Sequence, residues 1–511
     1  MSTSLTIRAG AAVLAAAGTL SLTALPAAAQ LPDGPALAKN LVKKVTGEGV
    51  NRHLIALQRL ADRNGGTRAA STPGHEQSAQ YVESKLAAAG YDLWRQPFTF
   101  AYSETLAEKL TTPSGAVPIT VMTTSKSTPV GGVTAPLAVV PAGADTTPGC
   151  EASDYAGLDV TGKVALISRG GCTFQVKQAN AAAAGAVAAV VYNNTDGPLN
   201  GTLGSDPSIV YIPTGGITKA DGLALAANPG QVVTVELRVL VEDRQSFNVI
   251  AQTKTGKKNN VVMAGAHLDS VTEGPGINDN GSGSAALLET AVQLGGSPKV
   301  NNAVRFAWWS AEEYGLVGST KFVQSLSFEQ QLDIALYLNF DMVASPNAGY
   351  FVYDGDDSDG VGAGAGPYGS GQIEAAFTGF LGSQGVQTRG TDFTGRSDYG
   401  EFINQGIPAG GLFTGAEGLK TQAEADLWGG VAGQAYDKCY HQACDNLGNI
   451  DRVALDRNSD AIAWVVASYA ISTEEVNGVP PRAARAQAKK AAAQKKAVTR
   501  TASLDPHTVV S

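Results

Sequence analysis

The sequence has 511 residues, of which 43% are hydrophobic and 16% charged, so it exceeds one typical domain and can bury a large core. The formal net charge is −9, although residues 482–511 carry seven Lys and Arg side chains against one acid. The rest of the chain is therefore more acidic than the total, which argues against nucleic acid as a substrate or partner.

Residues 1–29 have the pattern of a cleaved secretory signal peptide. Arg8 precedes an Ala/Leu/Val run, and three alanines end the segment before Gln30. A membrane anchor is the alternative, but Gly, Thr, Ser and Pro interrupt a run that is already short for a bilayer, and no later stretch is long enough to span one. We predict a secreted, extracellular protein without a membrane span, in which residues 30–44 are a pro or linker segment.

Four cysteines fall into two local pairs, Cys150 with Cys172 and Cys439 with Cys444. Both pairs are predicted to form disulfides in an oxidising compartment. A shared thiolate metal site is the alternative, but neither pair has C-x-x-C spacing, and the pairs lie in different predicted domains.

Three segments follow the predicted signal. Residues 50–89 show two helical patterns, and residues 131–242 change to short Val/Ile/Leu strands around one Ala-rich helix, which indicates an inserted domain. From residue 246, strands alternate with helices, which predicts an α/β fold with a largely parallel mixed sheet flanked by helices. Residues 45–130 and 243–476 are predicted to form this main domain, and residues 477–511 a solvated basic tail that is disordered or weakly helical.

Histidine and acidic side chains follow three predicted strands of the main domain. His267 ends the run VVMAGAH with Asp269 two residues on, Glu312 and Glu313 follow the next strand, and Asp341 follows the third. Sites in such sheets form at the carboxyl ends of the strands. A single acidic loop residue would usually be solvated surface, but repetition at successive strand ends favours a common site. Asp269 is predicted to orient the His267 ring.

Two further side chains extend this predicted site. Asp279 lies in the polar loop NDNGSG before a helix, and His441 lies between Cys439 and Cys444, where a short disulfide loop would hold its ring. Two imidazoles with several carboxylates suit zinc, and a carboxylate shared by two ions suits a zinc pair. One of the adjacent glutamates would bind metal and the other would transfer protons, although spacing does not distinguish them.

The blocks AGAHLDS, GINDNGSG, WWSAEEYGLVGS, YLNFDM, GRSDYGEF and CYHQACDN together resemble the secreted bacterial zinc aminopeptidases of peptidase family M28. The resemblance implies that His267 and Asp341 bind one zinc ion, that Glu313 and His441 bind the other, and that Asp279 bridges them. It also implies that Glu312 is the general acid and base.

The resemblance further implies the contacts with substrate. Glu312, Asp341 and the backbone carbonyl of Arg396 would receive the free amino group, and Tyr440 would stabilise the oxyanion. The expected substrates are peptides or proteins with a free N-terminus, large and apolar in their first residue, and the enzyme is expected to be a monomer. Tyr399 stands where close relatives usually have histidine, so side-chain preference could differ there.

Two accessory features also follow from resemblance. Asp456 and Asp460 fit half of a calcium site, although Lys44 and Val45 stand where an acid is expected. The segment with DVTGKV, SRGGCTF and AGAVAAVVYNN resembles a protease-associated (PA) domain, which would be a wall over the active site or an inert accessory domain. The basic tail is interpreted as a flexible segment, with retention on an anionic cell wall as the alternative.

Other activities fit the same fold. A carboxypeptidase or dipeptidase would need a cationic pocket, for which Arg396 is the candidate. A glutaminyl cyclase is expected to use one zinc ion, and a non-catalytic binding protein to have lost metal ligands, whereas this sequence retains every expected ligand.

Overall fold

The structure is a computed structural model that describes residues 34–142, 146–204, 209–362, 364–478, 482–487 and 489–490. The predicted signal peptide lies outside these residues. The helices are α1 Gly34–Lys44, α2 Gly47–Arg63, α3 Pro73–Ala88, α4 Phe174–Ala183, α5 Lys219–Ala226, α6 Gly281–Leu294, α7 Val317–Ser325, α8 Phe328–Asp333, α9 Ser370–Ser383, α10 Gly400–Asn404, α11 Gln422–Trp428, α12 Arg452–Ile471 and α13 Glu474–Asn477. No helix within the described ranges combines the length and hydropathy needed to cross a bilayer.

The strands divide into two groups joined by a long antiparallel pair. They are β1 Asp92–Thr112, β2 Gly115–Val117, β3 Thr120–Val121, β4 Val133–Val139, β5 Val164–Ser168, β6 Ala188–Tyr192, β7 Thr214–Ile217, β8 Val232–Gln252, β9 Lys257–His267, β10 Asn302–Trp309, β11 Ile334–Phe340, β12 Phe351–Tyr353, β13 Arg389–Thr391 and β14 Ala409–Phe413.

The main sheet has the order β13-β12-β14-β11-β9-β10-β8, with β1 beyond β8. Strands β10, β9, β11 and β14 are parallel neighbours, so their carboxyl ends meet at one edge. All seven residues of β11 are buried, as expected for a central strand covered on both faces. The predicted mixed sheet with flanking helices is confirmed.

The helices cover this sheet with side chains spaced at helical periodicity. In α2, Leu54, Leu57 and Ala61 are buried on one face, and the side chain of Thr46 caps the helix by accepting a hydrogen bond from the Gly49 N–H at 3.1 Å. Helix α1 also packs into this core, with Leu41 only 3% exposed. A linker is therefore wrong for residues 34–44, because the apolar face of α1 packs in the core of the main domain, and their assignment as a pro segment stays a prediction.

Strands β1 and β8 form a two-stranded ribbon that connects the two domains. Their register runs from Asp92 opposite Gln252 to Thr111 opposite Thr234. One end of β8 pairs with β10 in the main sheet, and the other end pairs with β4 of the second sheet, β4-β5-β6-β7-β3. Leu110 and Ile119, which precede the predicted domain start at residue 131, pack in the core of this second domain.

The beginning of the basic tail packs on the main domain. Residues 482–487 are helical, and Arg485 is 3% exposed. Arg482 pairs with Glu329 and Asp333. The prediction of a solvated tail is wrong for these residues, because Arg482 and Arg485 bind side chains and a backbone carbonyl of α8. The rest of the tail, apart from residues 489–490, lies outside the described residues.

Candidate metal centre and substrate cavity

The parallel register brings the predicted site residues to one edge of the main sheet. His267 is the last residue of β9 and is opposite Trp309, the last residue of β10. Glu312 and Glu313 follow β10 closely, and Asp341 follows the end of β11 directly. The strand-end argument therefore correctly predicts the proximity of these side chains.

The first group of candidate ligands consists of His267, Asp279 and Asp341. The His267 Nε2 atom lies 3.2 Å from Asp279 Oδ1 and 3.3 Å from Asp341 Oδ1. His267 and Asp279 are buried, and Asp341 is partly buried. Three donor atoms thus converge on one point at the end of β9.

The second group consists of Asp279, Glu313 and His441. The His441 Nε2 atom lies 3.3 Å from Asp279 Oδ2 and 3.1 Å from Glu313 Oε2. Asp279 therefore directs one carboxylate oxygen to each imidazole. This sharing of one carboxylate between two groups is the arrangement that a bridged metal pair requires.

The donor set fits zinc in kind and in spacing. Zinc is bound tetrahedrally by His nitrogen and carboxylate oxygen at about 2.0–2.2 Å, which places neighbouring ligand atoms about 3.4 Å apart. The donor pairs above are separated by 3.1 to 3.3 Å. The Glu313 Oε1 atom is buried without a hydrogen-bond partner, so this carboxylate has a free oxygen within the group.

The electrostatics of the centre favour a bound cation. Burial alone would lower the pKa of His441, but hydrogen bonds with Asp279 and Glu313 raise it to about 10. Burial and the charge of Asp279 raise the pKa of Glu313 to about 7. Both pKa shifts result from several acidic side chains buried close together. Bound metal ions would neutralise this excess of negative charge.

Asp269 contacts the His267 ring mainly through its backbone. The His267 Nδ1 atom lies 3.1 Å from the backbone oxygen of Asp269 and 3.8 Å from its carboxylate oxygen Oδ1. The Asp269 carboxylate instead accepts a hydrogen bond from the Glu312 N–H at 3.4 Å. The backbone carbonyl of Asp269 makes the shorter contact with the ring, and orientation of His267 by the carboxylate stays a prediction.

Several supporting residues were not predicted from the sequence. The Asp445 carboxylate accepts hydrogen bonds from the backbone N–H groups of Asn278 and Asp279 at 2.8 and 2.9 Å. Ser397 Oγ donates to Asp341 Oδ2 at 2.6 Å. Asp445 lies in the block CYHQACDN and Ser397 in the block GRSDYGEF. Their position in these motifs is the sequence feature that could have identified them.

Arg68 is a buried cation behind the same centre. Its guanidinium donates hydrogen bonds to the backbone carbonyls of Leu268, Pro275 and Gly276. These three residues lie between His267 and Asp279 in the sequence. Burial lowers the pKa of Arg68 to about 10. No local pattern around residue 68 distinguishes it in the sequence.

A cavity of about 310 Å³ opens beside the centre. It is lined by four of the five candidate ligands, all except His267, and by Glu312, Arg396 and Tyr440, so these predicted residues lie together. The Tyr440 ring stacks on the His441 ring with centroids 3.8 Å apart, and burial raises the pKa of Tyr440. The remaining lining residues are Met342, Phe351, Tyr353, Thr391, Asp392, Ser397, Tyr399, Phe413, Gly415, Ala416, Glu417, Gly418 and Tyr436.

The inserted domain contributes no residue to this lining within the part of the chain that the structure describes. The role of the inserted domain, as a wall over the active site or as an inert accessory domain, stays a prediction. Tyr399 lines the cavity but is 1% exposed, and its hydroxyl accepts a hydrogen bond from the Gly395 N–H at 3.0 Å.

Both predicted disulfides are confirmed, joining Cys150 to Cys172 and Cys439 to Cys444. The second one closes the loop that carries Tyr440 and His441. His441 has φ of 56°, a left-handed conformation that the closed loop must hold.

The two residues of the predicted calcium site lie one turn apart on α12. Asp456 accepts a hydrogen bond from the Gly47 N–H at 2.7 Å, and burial with the charge of Asp456 raises the pKa of Asp460 to about 7. Neither belongs to a group of three candidate ligands among the described residues. Calcium binding here stays a prediction.

Comparisons with known proteins agree with the geometry. Residues 248–466 match peptidase family M28, and residues 133–225 match the PA domain. The chain is 47% identical over 460 residues to the probable lipoprotein aminopeptidase LpqL of Mycobacterium tuberculosis, covering 89% of this chain and 91% of the relative.

Two further similarities bear on the site. The chain is 47% identical over 414 residues to the probable leucine aminopeptidase 2 of Aspergillus fumigatus, covering 80% of this chain and 79% of the relative. The solved structure of BSAP, a zinc aminopeptidase from Bacillus subtilis, aligns with a TM-score of 0.57 and 26% identity, covering 85% of this chain and 95% of that one.

Proposed function

Since the chain belongs to peptidase family M28 and is a metallo-aminopeptidase, we propose that it is a secreted enzyme with two zinc ions that removes large apolar N-terminal residues from peptides. The observation that carries this proposal is the Asp279 carboxylate, which offers one oxygen to each of two histidine-containing groups beside a cavity.

The proposed ligands are those of the two groups described above. His267 and Asp341 would hold one ion, Glu313 and His441 the other, and Asp279 both. A zinc pair, when bound, lowers the pKa of water and polarises a peptide carbonyl. The resemblance to a zinc aminopeptidase of B. subtilis supports zinc as the metal.

Glu312 is the proposed general base and acid. It lines the cavity next to Glu313, and its backbone is held by Asp269. Burial and neighbouring acids raise the pKa of Glu312, as suits a carboxylate that must accept a proton from water and return it to the leaving amine.

The charge of the cavity supports a substrate with a free amino group. Glu312, Asp341, Asp392 and Glu417 line it, and Arg396 is the one Lys or Arg among its described lining residues. An acidic wall attracts a terminal ammonium and repels a terminal carboxylate. This favours an aminopeptidase over the carboxypeptidase or dipeptidase alternative. Contact of the ammonium with the Arg396 carbonyl is also proposed.

Tyr440 is proposed to stabilise the oxyanion. Its raised pKa keeps the phenol protonated, so the hydroxyl can donate a hydrogen bond. Stacking on His441 fixes the direction of the ring.

The apolar side of the cavity supports a preference for large apolar residues. The Phe351 ring packs edge-on against the Tyr436 ring, with 5.3 Å between their centroids. Phe413 and Tyr353 also line the cavity. The name of the A. fumigatus relative includes leucine, which agrees with this preference.

Export is the remaining part of the proposal. The predicted signal and the two disulfides support it. The M. tuberculosis relative is named a probable lipoprotein aminopeptidase. A monomeric state, calcium at Asp456 and Asp460, and cell-wall retention by the tail remain predictions.

A panel of aminoacyl p-nitroanilides tests the proposal. Leucyl and phenylalanyl substrates should be cleaved with higher kcat/KM than alanyl or glutamyl ones, because they fill the apolar side of the cavity. Activity should disappear with a chelator and return with zinc. N-acetyl-leucyl-p-nitroanilide is the matched control, and its cleavage at a similar rate would contradict recognition of a free amine.

A further inference from the structure

The ribbon of β1 and β8 contacts the loop of residues 310–318, which carries Glu312 and Glu313. Asn248 of β8 is fully buried and binds both ends of this loop. Its Oδ1 accepts a hydrogen bond from the Ser310 N–H at 3.2 Å, and its Nδ2 donates to the Gly318 carbonyl at 2.9 Å. One side chain of the ribbon thus fixes the distance between the two ends of the loop.

A second polar contact strengthens the first. The Ser246 and Ser310 hydroxyls are hydrogen-bonded at 2.7 Å and buried. The Asn248 amide also donates to Gln96 Oε1 of β1 at 3.0 Å, so both strands of the ribbon take part. Breaking buried hydrogen bonds of this kind costs free energy, because the separated donor and acceptor would have neither a protein partner nor water.

Aromatic side chains hold the middle of the loop. The Tyr314 ring lies 5.1 Å from the Phe100 ring and 5.3 Å from the Tyr102 ring, measured between centroids. Both partners are on β1, and the Arg244 guanidinium of β8 lies 3.3 Å over the centre of the Tyr102 ring. Tyr314 directly follows the two glutamates, so its packing restrains their backbone.

The loop has a backbone that needs such support. Ala311 and Leu316 have φ of 56° and 59°, which non-glycine residues rarely adopt. Ala311 is also buried in the same apolar cluster as Phe100 and Tyr102. Strained conformations of this kind persist only where surrounding contacts determine them.

We propose that the ribbon positions the Glu312 and Glu313 carboxylates, with Tyr314 as the positioning residue through which it acts. The inference rests on the roles proposed above for the two glutamates. The same two strands continue at their far end into the core of the inserted domain.

Kinetics of Tyr314 variants on leucyl-p-nitroanilide at saturating zinc test this inference. Tyr314→Ala should lower kcat by about 10- to 100-fold, since small displacements of catalytic groups have effects of this size. KM should change by less than about threefold, because Tyr314 is not among the cavity-lining residues. Tyr314→Phe retains the ring and should retain kcat.

Leu110→Ala is the control for a general loss of stability. Leu110 is 1% exposed at the far end of the ribbon, so its truncation should lower Tm and leave kcat unchanged. An equal fall of kcat in Leu110→Ala, or a wild-type kcat in Tyr314→Ala, would overturn the proposal. If Tyr314→Ala is not recovered folded, Phe100→Leu carries the same test, with a lowered kcat expected and an unchanged kcat overturning it.

Glu312→Gln in the same assay separates two kinds of failure. Near-wild-type turnover in this variant overturns the proposed base. An inactive Glu312→Gln together with a fully active Tyr314→Ala overturns the positioning role alone.

Discussion

Asp445 accepts a hydrogen bond from the backbone N–H of Asp279 at 2.9 Å. The bond joins the residue after the Cys439–Cys444 disulfide loop to the backbone of the residue whose carboxylate is proposed to bridge the metal pair. The Asp445 carboxylate also accepts a hydrogen bond from the Asn278 N–H, so it fixes two consecutive peptide groups and thereby the direction of the Asp279 side chain.

Asp445→Asn should therefore weaken zinc binding. The amide can accept through only one of its two terminal atoms, which leaves one of the two N–H groups unpaired. We expect zinc affinity to fall by about 10- to 100-fold, measured by competition with a chelator. Asp221→Asn, at a hydrogen-bonded aspartate of the inserted domain, is the control, and equal affinities in both variants would refute the supporting role.

Substitutions should distinguish the roles of the adjacent residues Glu312 and Glu313. Glu312→Gln should keep its zinc and lose about 100-fold or more in kcat, because the base is removed and the ligands remain. Glu313→Gln should lose zinc affinity as well, because Glu313 Oε2 lies 3.1 Å from His441 Nε2 at the second group. Metal content and kcat measured on both variants decide the matter, and the reverse pattern would exchange the two roles.

Glu374 should make folding stability depend on pH. It lies with Asp354 and Asp356, and burial followed by the charges of these aspartates raises its pKa from 4.5 to about 7. The folded state therefore holds this proton more tightly than the unfolded state. Its stabilising effect is complete below the unfolded pKa and is lost as pH rises through about 7.

The Glu374→Gln variant cannot ionise at this position. Between about pH 5 and about pH 8, its Tm should fall less, or rise more, than that of the zinc-loaded wild type. Glu475→Gln, at an exposed glutamate, controls for the loss of one negative charge. Parallel Tm curves for Glu374→Gln and wild type would disprove the coupling.

Arg485 should stabilise the main domain without affecting catalysis. It donates to the carbonyls of Leu332 and Asn259 and to the side chains of Asn260 and Asn477. Asn259 and Asn260 lie near the start of β9, far along that strand from His267 at its end.

Arg485→Ala should lower the free energy of unfolding by about 1–3 kcal/mol, because buried acceptors lose their donor. Arg482→Ala is the matched control, since exposed ion pairs contribute only about 0–1 kcal/mol. Urea denaturation measures both values, and kcat should be the same in both variants. Equal stabilities would contradict the interpretation of Arg485 as part of the fold.

The sequence allowed the proximity of the main site residues to be predicted because it depends on topology. Parallel strands must present their carboxyl ends at one edge, so His267, Glu313 and Asp341 could be grouped from chain order alone. This grouping needed only local patterns and one general rule of sheet geometry. The disulfide loop predicted only that the His441 ring is held in place, and its membership of the site came from the family resemblance.

Other relationships depend on contacts between distant parts of the chain. The bond from Asp279 to Asp445 spans 166 residues, and that from Arg485 to Leu332 spans 153. The contact of His267 with the Asp269 backbone carbonyl was not predicted, because spacing does not distinguish a carboxylate from a backbone carbonyl. Strand β1 was not predicted because it is largely exposed, so its apolar pattern is weak.

The most direct test of a bridging role for Asp279 is to measure activity as a function of the number of zinc ions bound per chain. Zinc-depleted enzyme titrated with zinc should reach full leucyl-p-nitroanilide turnover at about two ions per chain. Asp279→Asn should lower affinity at both positions, whereas His441→Ala should affect mainly one. Full activity at a single zinc ion per chain, or an Asp279→Asn variant that loses only one of the two, would contradict the bridged pair.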